Sequence, residues 1–125
     1  PIGREAGSGT RDGFESITGT EDACKYTNEY ESTGEVIGSV AGNPNAIGYV
    51  GLGYLAPSIK GLHIGKVAAS AETALSKEWP LSRELYVFTN GEPAGASGAL
   101  IKYILDPAKG QKAVKEVGFV PLAKK

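Results

Sequence analysis

Arg4-Glu5-Ala6-Gly7-Ser8-Gly9-Thr10-Arg11 is the stretch whose reading decides this chain. It reads as the end of a strand, a Gly-rich turn and the first turn of a helix. Gly7 and Gly9 permit positive φ and remove the Cβ atoms that would hold a ligand away from the backbone. Ser8 or Thr10 can act as helix N-cap, and Phe14 and Ile17 then give that helix an apolar stripe. A helix start presents unpaired N–H groups and the positive end of a dipole. With two hydroxyls and the guanidinium groups of Arg4 and Arg11 added, the stretch suits a tetrahedral oxyanion. A plain Gly-rich turn with a capping serine fits the same residues, because short Gly/Ser motifs recur by chance. The stretch is not a Walker A loop, since no Lys-Ser/Thr pair follows the glycines. Nor is it a nucleophile elbow, which would need glycine where Ala6 and Thr10 stand.

The chain has 125 residues, enough for one domain with a real core. Gly accounts for 18 residues, twice the usual share of ~7%, and with 7 Pro this implies many turns and short elements. It does not imply disorder, because 41% of the residues are hydrophobic. A formal net charge of −1 gives no argument for nucleic acid or an anionic membrane surface. No apolar run approaches the roughly 20 residues that span a bilayer. Pro1 stands first and Met is absent, so the chain is expected to be an excised piece of a longer protein. Cys24 is the only cysteine and His63 the only histidine. An intrachain disulfide is therefore excluded, and a Cys/His catalytic pair has no support from the pattern. No cluster of Cys, His and carboxylate suggests zinc, and no cofactor is expected.

Outward from the opening turn, Pro1 to Arg4 reads as the tail of a strand and Ser8 to Ile17 as a helix. Thr18 to Tyr30 is polar, with an acidic pair at Glu21-Asp22, and reads as loop with room for one helical turn. Ser32-Thr33-Gly34-Glu35 fits a capping box for a second helix with Val36, Ile37 and Val40 on one face, and Gly42-Asn43-Pro44-Asn45 stops it. Ala46 to Val50 reads as a buried strand, Gly51 to Tyr54 as a turn, Ile59 to Ile64 as another strand and Ser70 to Ser76 as a short helix. Leu85-Tyr86-Val87-Phe88-Thr89, inside Leu81 to Asn90, is the most β-prone run in the chain. Gly95 to Leu105 reads as a helix with Leu100, Ile101, Ile104 and Leu105 on its apolar face. Asp106-Pro107 reads as the start of a last helix, with Ala113, Val114 and Val117 inward and a stop at Gly118. Strands alternating with helices argue an α/β domain with a mostly parallel sheet flanked by helices. Ligands in such sheets sit at the carboxyl ends of strands, which is where the Arg4–Thr10 stretch falls.

The stretch Arg4 to Arg11 also resembles the phosphate-binding segment of the phosphate-binding proteins of ABC uptake systems. Gly42-Asn43-Pro44-Asn45-Ala46-Ile47-Gly48-Tyr49-Val50, then Trp79-Pro80-Leu81-Ser82-Arg83, then Gly110-Gln111 through Gly118-Phe119-Val120-Pro121 are similar to the same family. They stand in the family's order and cover nearly the whole chain. The resemblance implies a lobe of a periplasmic-binding-protein-like fold, type 2, without enzymatic activity. It implies extracytoplasmic binding of inorganic phosphate, periplasmic or at a lipid-anchored cell surface, and delivery to the membrane permease subunits of an ABC transporter. Residues 1–125 would be a single α/β domain from the C-terminal portion of a two-lobed protein, with about 81–125 returning to the other lobe. The missing half would precede Pro1 and carry any export signal. Apolar surface left bare in that way would favour self-association of the isolated chain.

By resemblance, Arg4, Ser8, Gly9 and Thr10 are the phosphate-binding residues. Arg4 would make a two-pronged contact, Ser8 would donate its hydroxyl and N–H, Gly9 its N–H and Thr10 its hydroxyl. Arg11 is expected to face solvent or a carboxylate. Some members place an Asp two residues after the arginine, where it orients the guanidinium; here that position is Ala6. Glu5, as the adjacent residue, is expected to point elsewhere. Selection of phosphate over sulfate needs an acceptor for the phosphate proton, and in the family that acceptor lies on the other lobe. Two other readings stand beside this one. One is an enzyme acting on a phosphorylated substrate held by the same loop; the other is a non-transport anion-binding module on a cell surface.

Overall fold

In the computed structural model, which describes residues 1–122, the first element is the strand β1 (Ile2–Arg4). It leads through the Ala6–Gly7 turn into helix α1 (Gly9–Thr18), which Gly19 ends in the left-handed conformation. A second strand, β2 (Asn28–Tyr30), pairs in parallel with β1, with Ile2 opposite Asn28, Gly3 opposite Glu29 and Arg4 opposite Tyr30. The opening is therefore a βαβ unit, the connection that parallel pairing requires. Helix α2 (Thr33–Ala41) follows at once. The Ser32 side chain accepts from the Glu35 N–H while the Glu35 side chain accepts from the Ser32 N–H, so the expected capping box is present. Beyond Asn43-Pro44 the chain returns to the other edge of β1, where Ile2 N–H donates to Ile47 at 2.8 Å and Ile2 bridges Gly48 in parallel. Val36 on α2 is 1% exposed and, with Ile2, makes the small apolar centre beneath the strands. The chain goes on through a 3-10 turn (Leu52–Tyr54) and helix α3 (Ala71–Leu75), which Ser70 caps.

The chain divides into two compact units, Pro1–Ser82 and Arg83–Lys125. The second contains helices α4 (Gly95–Leu105) and α5 (Gly110–Glu116). Gly110-Gln111, the first residues of α5, hold it against α4. A Cβ on Gly110 would run into the backbone of Tyr103 and Ile104, so only glycine allows the close approach. Gln111 is buried; its Nε2 donates to the Ile104 carbonyl and its Oε1 accepts from the Leu122 N–H, each at 2.8 Å. One amide thus ties the end of α4 to the segment after α5.

Several sequence expectations give way. Thr18 to Tyr30 is not all loop, because its last residues form β2. Asn28, Glu29 and Tyr30 carry no β-prone apolar pattern, and the ladder with β1 decides their conformation. Ala46 to Val50 makes a single bridge at Gly48 instead of a strand, and Ile47 is exposed. In Ile59 to Ile64 only Ile64 is bridged, to the nearby Val67. Leu85 to Thr89 pairs with no strand among the described residues; Leu85 is 67% and Phe88 89% exposed. High propensity does not make a strand without a ladder to satisfy its amides and carbonyls. The last helix begins at Gly110, because Asp106 is taken up as the C-cap of α4 and its Oδ1 accepts from the Ala108 N–H at 2.8 Å. Val117 is exposed and does not point inward.

Candidate phosphate site at the first turn

The turn between β1 and α1 needs Gly7 at φ 88°, a backbone region that side chains with a Cβ rarely adopt. Ser8 is the N-cap of α1, 6% exposed, and its Oγ takes the Arg11 N–H at 3.5 Å. The Ser8 N–H is turned inward and donates to the Glu5 carbonyl at 3.2 Å, so the N–H contact expected of Ser8 is already engaged. The Ser8 carbonyl accepts from Asp12 at 2.9 Å. The amides of Gly9 and Thr10 have no acceptor among the described residues, as the first N–H groups of a helix do not. Thr10 thus brings an N–H as well as its hydroxyl, a donor that sequence reasoning had not assigned to it. The structure brings Ser8, Gly9 and Thr10 together on one turn, with Arg4 at the end of the strand that feeds it.

Arg4 is fixed without an Asp at position 6. Its Nε donates to the Tyr30 carbonyl at 3.2 Å, its Nη1 to the Thr33 hydroxyl at 3.1 Å and its Nη2 to the Glu31 carbonyl at 2.6 Å. A guanidinium has five N–H groups, so two are left to point elsewhere. Glu5 stands 3.8 Å from Nη2, at the limit of an ion pair, and it is the weakest of these contacts. The end of β2 and the first residue of α2 therefore do the orienting. The sequence signal for this was faint: Thr33 looked like part of a capping box and nothing more.

Arg11 turns to carboxylates, as expected. Its Nε lies 2.9 Å from Glu15 Oε1 and its Nη1 3.0 Å from Glu29 Oε1, and its Nη1 also donates to the Arg4 carbonyl at 3.1 Å. Glu15 is buried and also accepts from the Tyr26 hydroxyl at 2.8 Å. That hydroxyl, ahead of the Arg11 guanidinium, holds the Glu15 carboxyl below its ordinary range even though burial pushes the other way. Burial, and then the hydrogen bonds to its neighbours, pushes the Tyr26 phenol up, so Tyr26 stays a neutral donor. Elsewhere, Cys24 donates to the Thr20 hydroxyl at 3.3 Å and His63 is exposed. No helix among the described residues is long and apolar enough to cross a membrane.

No family model matches the chain. A phosphate-binding protein, PstS 2, of Streptococcus pneumoniae is 36% identical over 95% of the chain, which covers 44% of that relative. The phosphate-binding protein PstS of Pseudomonas aeruginosa is 33% identical over 99% of the chain, which covers 42% of it. The crystal structure of a phosphate ABC transporter phosphate-binding protein from Streptococcus pneumoniae superimposes with a TM-score of 0.91 at 34% identity, covering 99% of this chain and 51% of that one. The chain therefore spans about half the length of the relatives it matches. Its strand, turn and helix start lie within a match that takes in almost every residue, and along its whole length the chain is similar to about half the length of the phosphate-binding proteins of phosphate ABC transporters.

Proposed function

We propose that this chain carries part of the anion grip of a protein that captures inorganic phosphate outside the cytoplasm and delivers it to the membrane permease subunits of an ABC transporter. The observation that carries the reading is the set of unspent donors at one helix start. The amides of Gly9 and Thr10 and the hydroxyls of Ser8 and Thr10 stand on the turn that follows Arg4, whose guanidinium is oriented by Tyr30, Glu31 and Thr33. Residues 1–125 are read as a piece of a two-lobed binder, with about 81–125 returning to the other lobe. The site is a holding site and turns nothing over. In support, neither Cys24 nor His63 is paired with a base, nucleophile or carboxylate dyad at the turn.

With one lobe's donors only, the anion stays partly solvated and each contact is worth less. Binding by the 125-residue chain is expected near a millimolar dissociation constant, an order-of-magnitude figure. The test is an NMR titration with inorganic phosphate. The Gly9 and Thr10 amides and the Arg4 Nε–H are expected to shift together along one saturable curve. Saturable shifts elsewhere, with these three unmoved, would refute the assignment.

A further inference from the structure

Arg4 is gripped by its backbone as well as by its side chain. One edge of β1 is satisfied by β2, where Glu5 N–H donates to the Tyr30 carbonyl at 3.0 Å. On the opposite edge the pairing stops at the Ile2–Gly48 bridge. The N–H and C=O of Arg4 face that side and meet side chains there in place of a strand. The Arg4 N–H donates to the Tyr49 hydroxyl at 3.1 Å, Tyr49 donates to the Tyr26 hydroxyl at 3.2 Å, and Tyr26 donates to Glu15 Oε1 at 2.8 Å. Arg11 completes the path, with Nε on Glu15 Oε1 at 2.9 Å and Nη1 on the Arg4 carbonyl at 3.1 Å. The contacts form a closed ring that begins and ends on Arg4.

We propose that this ring is the positioning device of the anion site, with Tyr49, Tyr26 and Glu15 acting on the bound anion through Arg4. The proposal rests on the reading of the first turn as a phosphate site. An ionised carboxylate only accepts, so Tyr26 must spend its proton on Glu15, and Tyr49 must then spend its own on Tyr26. That leaves the Tyr49 oxygen to receive the Arg4 amide, and the ring runs in one direction only. The rings are held as well: Phe14 stacks on Tyr49 at 4.4 Å between centroids, and the Arg11 guanidinium lies 4.9 Å over Tyr26. A guanidinium makes its two-pronged contact only within a narrow range of position and angle. Fixing both backbone polar groups of Arg4 fixes where that fork begins.

Tyr49→Phe removes the acceptor and keeps the stack on Phe14; Tyr26→Phe breaks the same ring one bond further on and serves if the first variant does not fold. Without ligand, exchange of the Arg4 amide proton is expected to quicken about tenfold in Tyr49→Phe, the loss of one hydrogen bond, and by a smaller factor in Tyr26→Phe, which keeps the Tyr49 oxygen but frees it to turn. With inorganic phosphate, affinity is expected to fall about tenfold in an otherwise unchanged chain and not at all when the substitution is added to Arg4→Lys. A merely structural role would weaken binding equally in both backgrounds, and that result would overturn the proposal. Unchanged exchange at Arg4 in a folded variant would overturn it too. If the chain binds no phosphate, the reading of the turn fails, and the exchange measurement still decides whether the ring holds Arg4.

Discussion

Replacing Arg4 with lysine tests the site at its most oriented group. The guanidinium is held from behind by the Tyr30 carbonyl, the Thr33 hydroxyl and the Glu31 carbonyl, and its side chain is only 16% exposed. Lysine offers three donors around one nitrogen on a flexible stem. It cannot hold three protein acceptors and still face an anion with a planar pair of N–H groups. The substitution forfeits at least one charge-assisted hydrogen bond to the ligand, about 1.5–3 kcal/mol when well made. At about 1.4 kcal/mol per factor of ten, affinity should drop roughly tenfold to a hundredfold. The lower end is favoured where water screens the contact. Titration calorimetry with inorganic phosphate measures the change, and a thermal melt of the ligand-free variant shows that it is folded at the working temperature. Equal affinity in folded Arg4→Lys would remove Arg4 from the site and with it the argument from its orientation.

Glu15 makes stability depend on pH. Its carboxyl is held low in the folded chain, first by the Tyr26 hydroxyl, so its contribution is present above the ordinary carboxylate range of about 4 and lost as pH falls through the depressed value. Urea melts between neutral and acid pH should show Glu15→Gln losing part of the wild-type slope below about pH 4; identical slopes would refute it. Gly110→Ala should destabilise the α4–α5 pair by about 1–3 kcal/mol, since the added methyl meets the backbone of Tyr103 and Ile104. Hydrogen exchange in α4 and α5 reads that loss directly, and unaltered protection there would show that the hairpin has room.

What was legible in the sequence was local. Ser8, the Ser32–Glu35 capping box and Ser70 mark helix starts through bonds to residues three positions on, and all three helices begin where those residues stand. Gly7 signalled a turn because its φ demands glycine. Apart from Asp106, which closes α4 instead of opening the last helix, the misreadings involved pairing across long separations. Asn28 to Tyr30 became a strand because β1 was there to receive it, and Leu85 to Thr89 did not, for want of a neighbour among the described residues. At the site, the donors of Ser8, Gly9 and Thr10 could be read from the turn chemistry. The groups that meet the Arg4 guanidinium and its N–H lie 26 to 45 residues away in the chain and carry no spacing that would announce them.

The charges around the turn explain why placement matters so much at this turn. Arg11 is spent on Glu15 and Glu29, and Glu5 stands near Arg4, so two guanidinium groups share their surroundings with three carboxylates. Net attraction at long range is therefore small, and a dianion gains little from the field of this segment. What remains is short-range: two helix-start amides, two hydroxyls and one fork of N–H groups, each sensitive to tenths of an ångström. A site of this kind depends on whatever stops Arg4 from drifting. Ala6 takes away the nearest candidate for that task. Backbone carbonyls at the end of β2, the hydroxyl at the start of α2 and the ring through Tyr49, Tyr26 and Glu15 take it over.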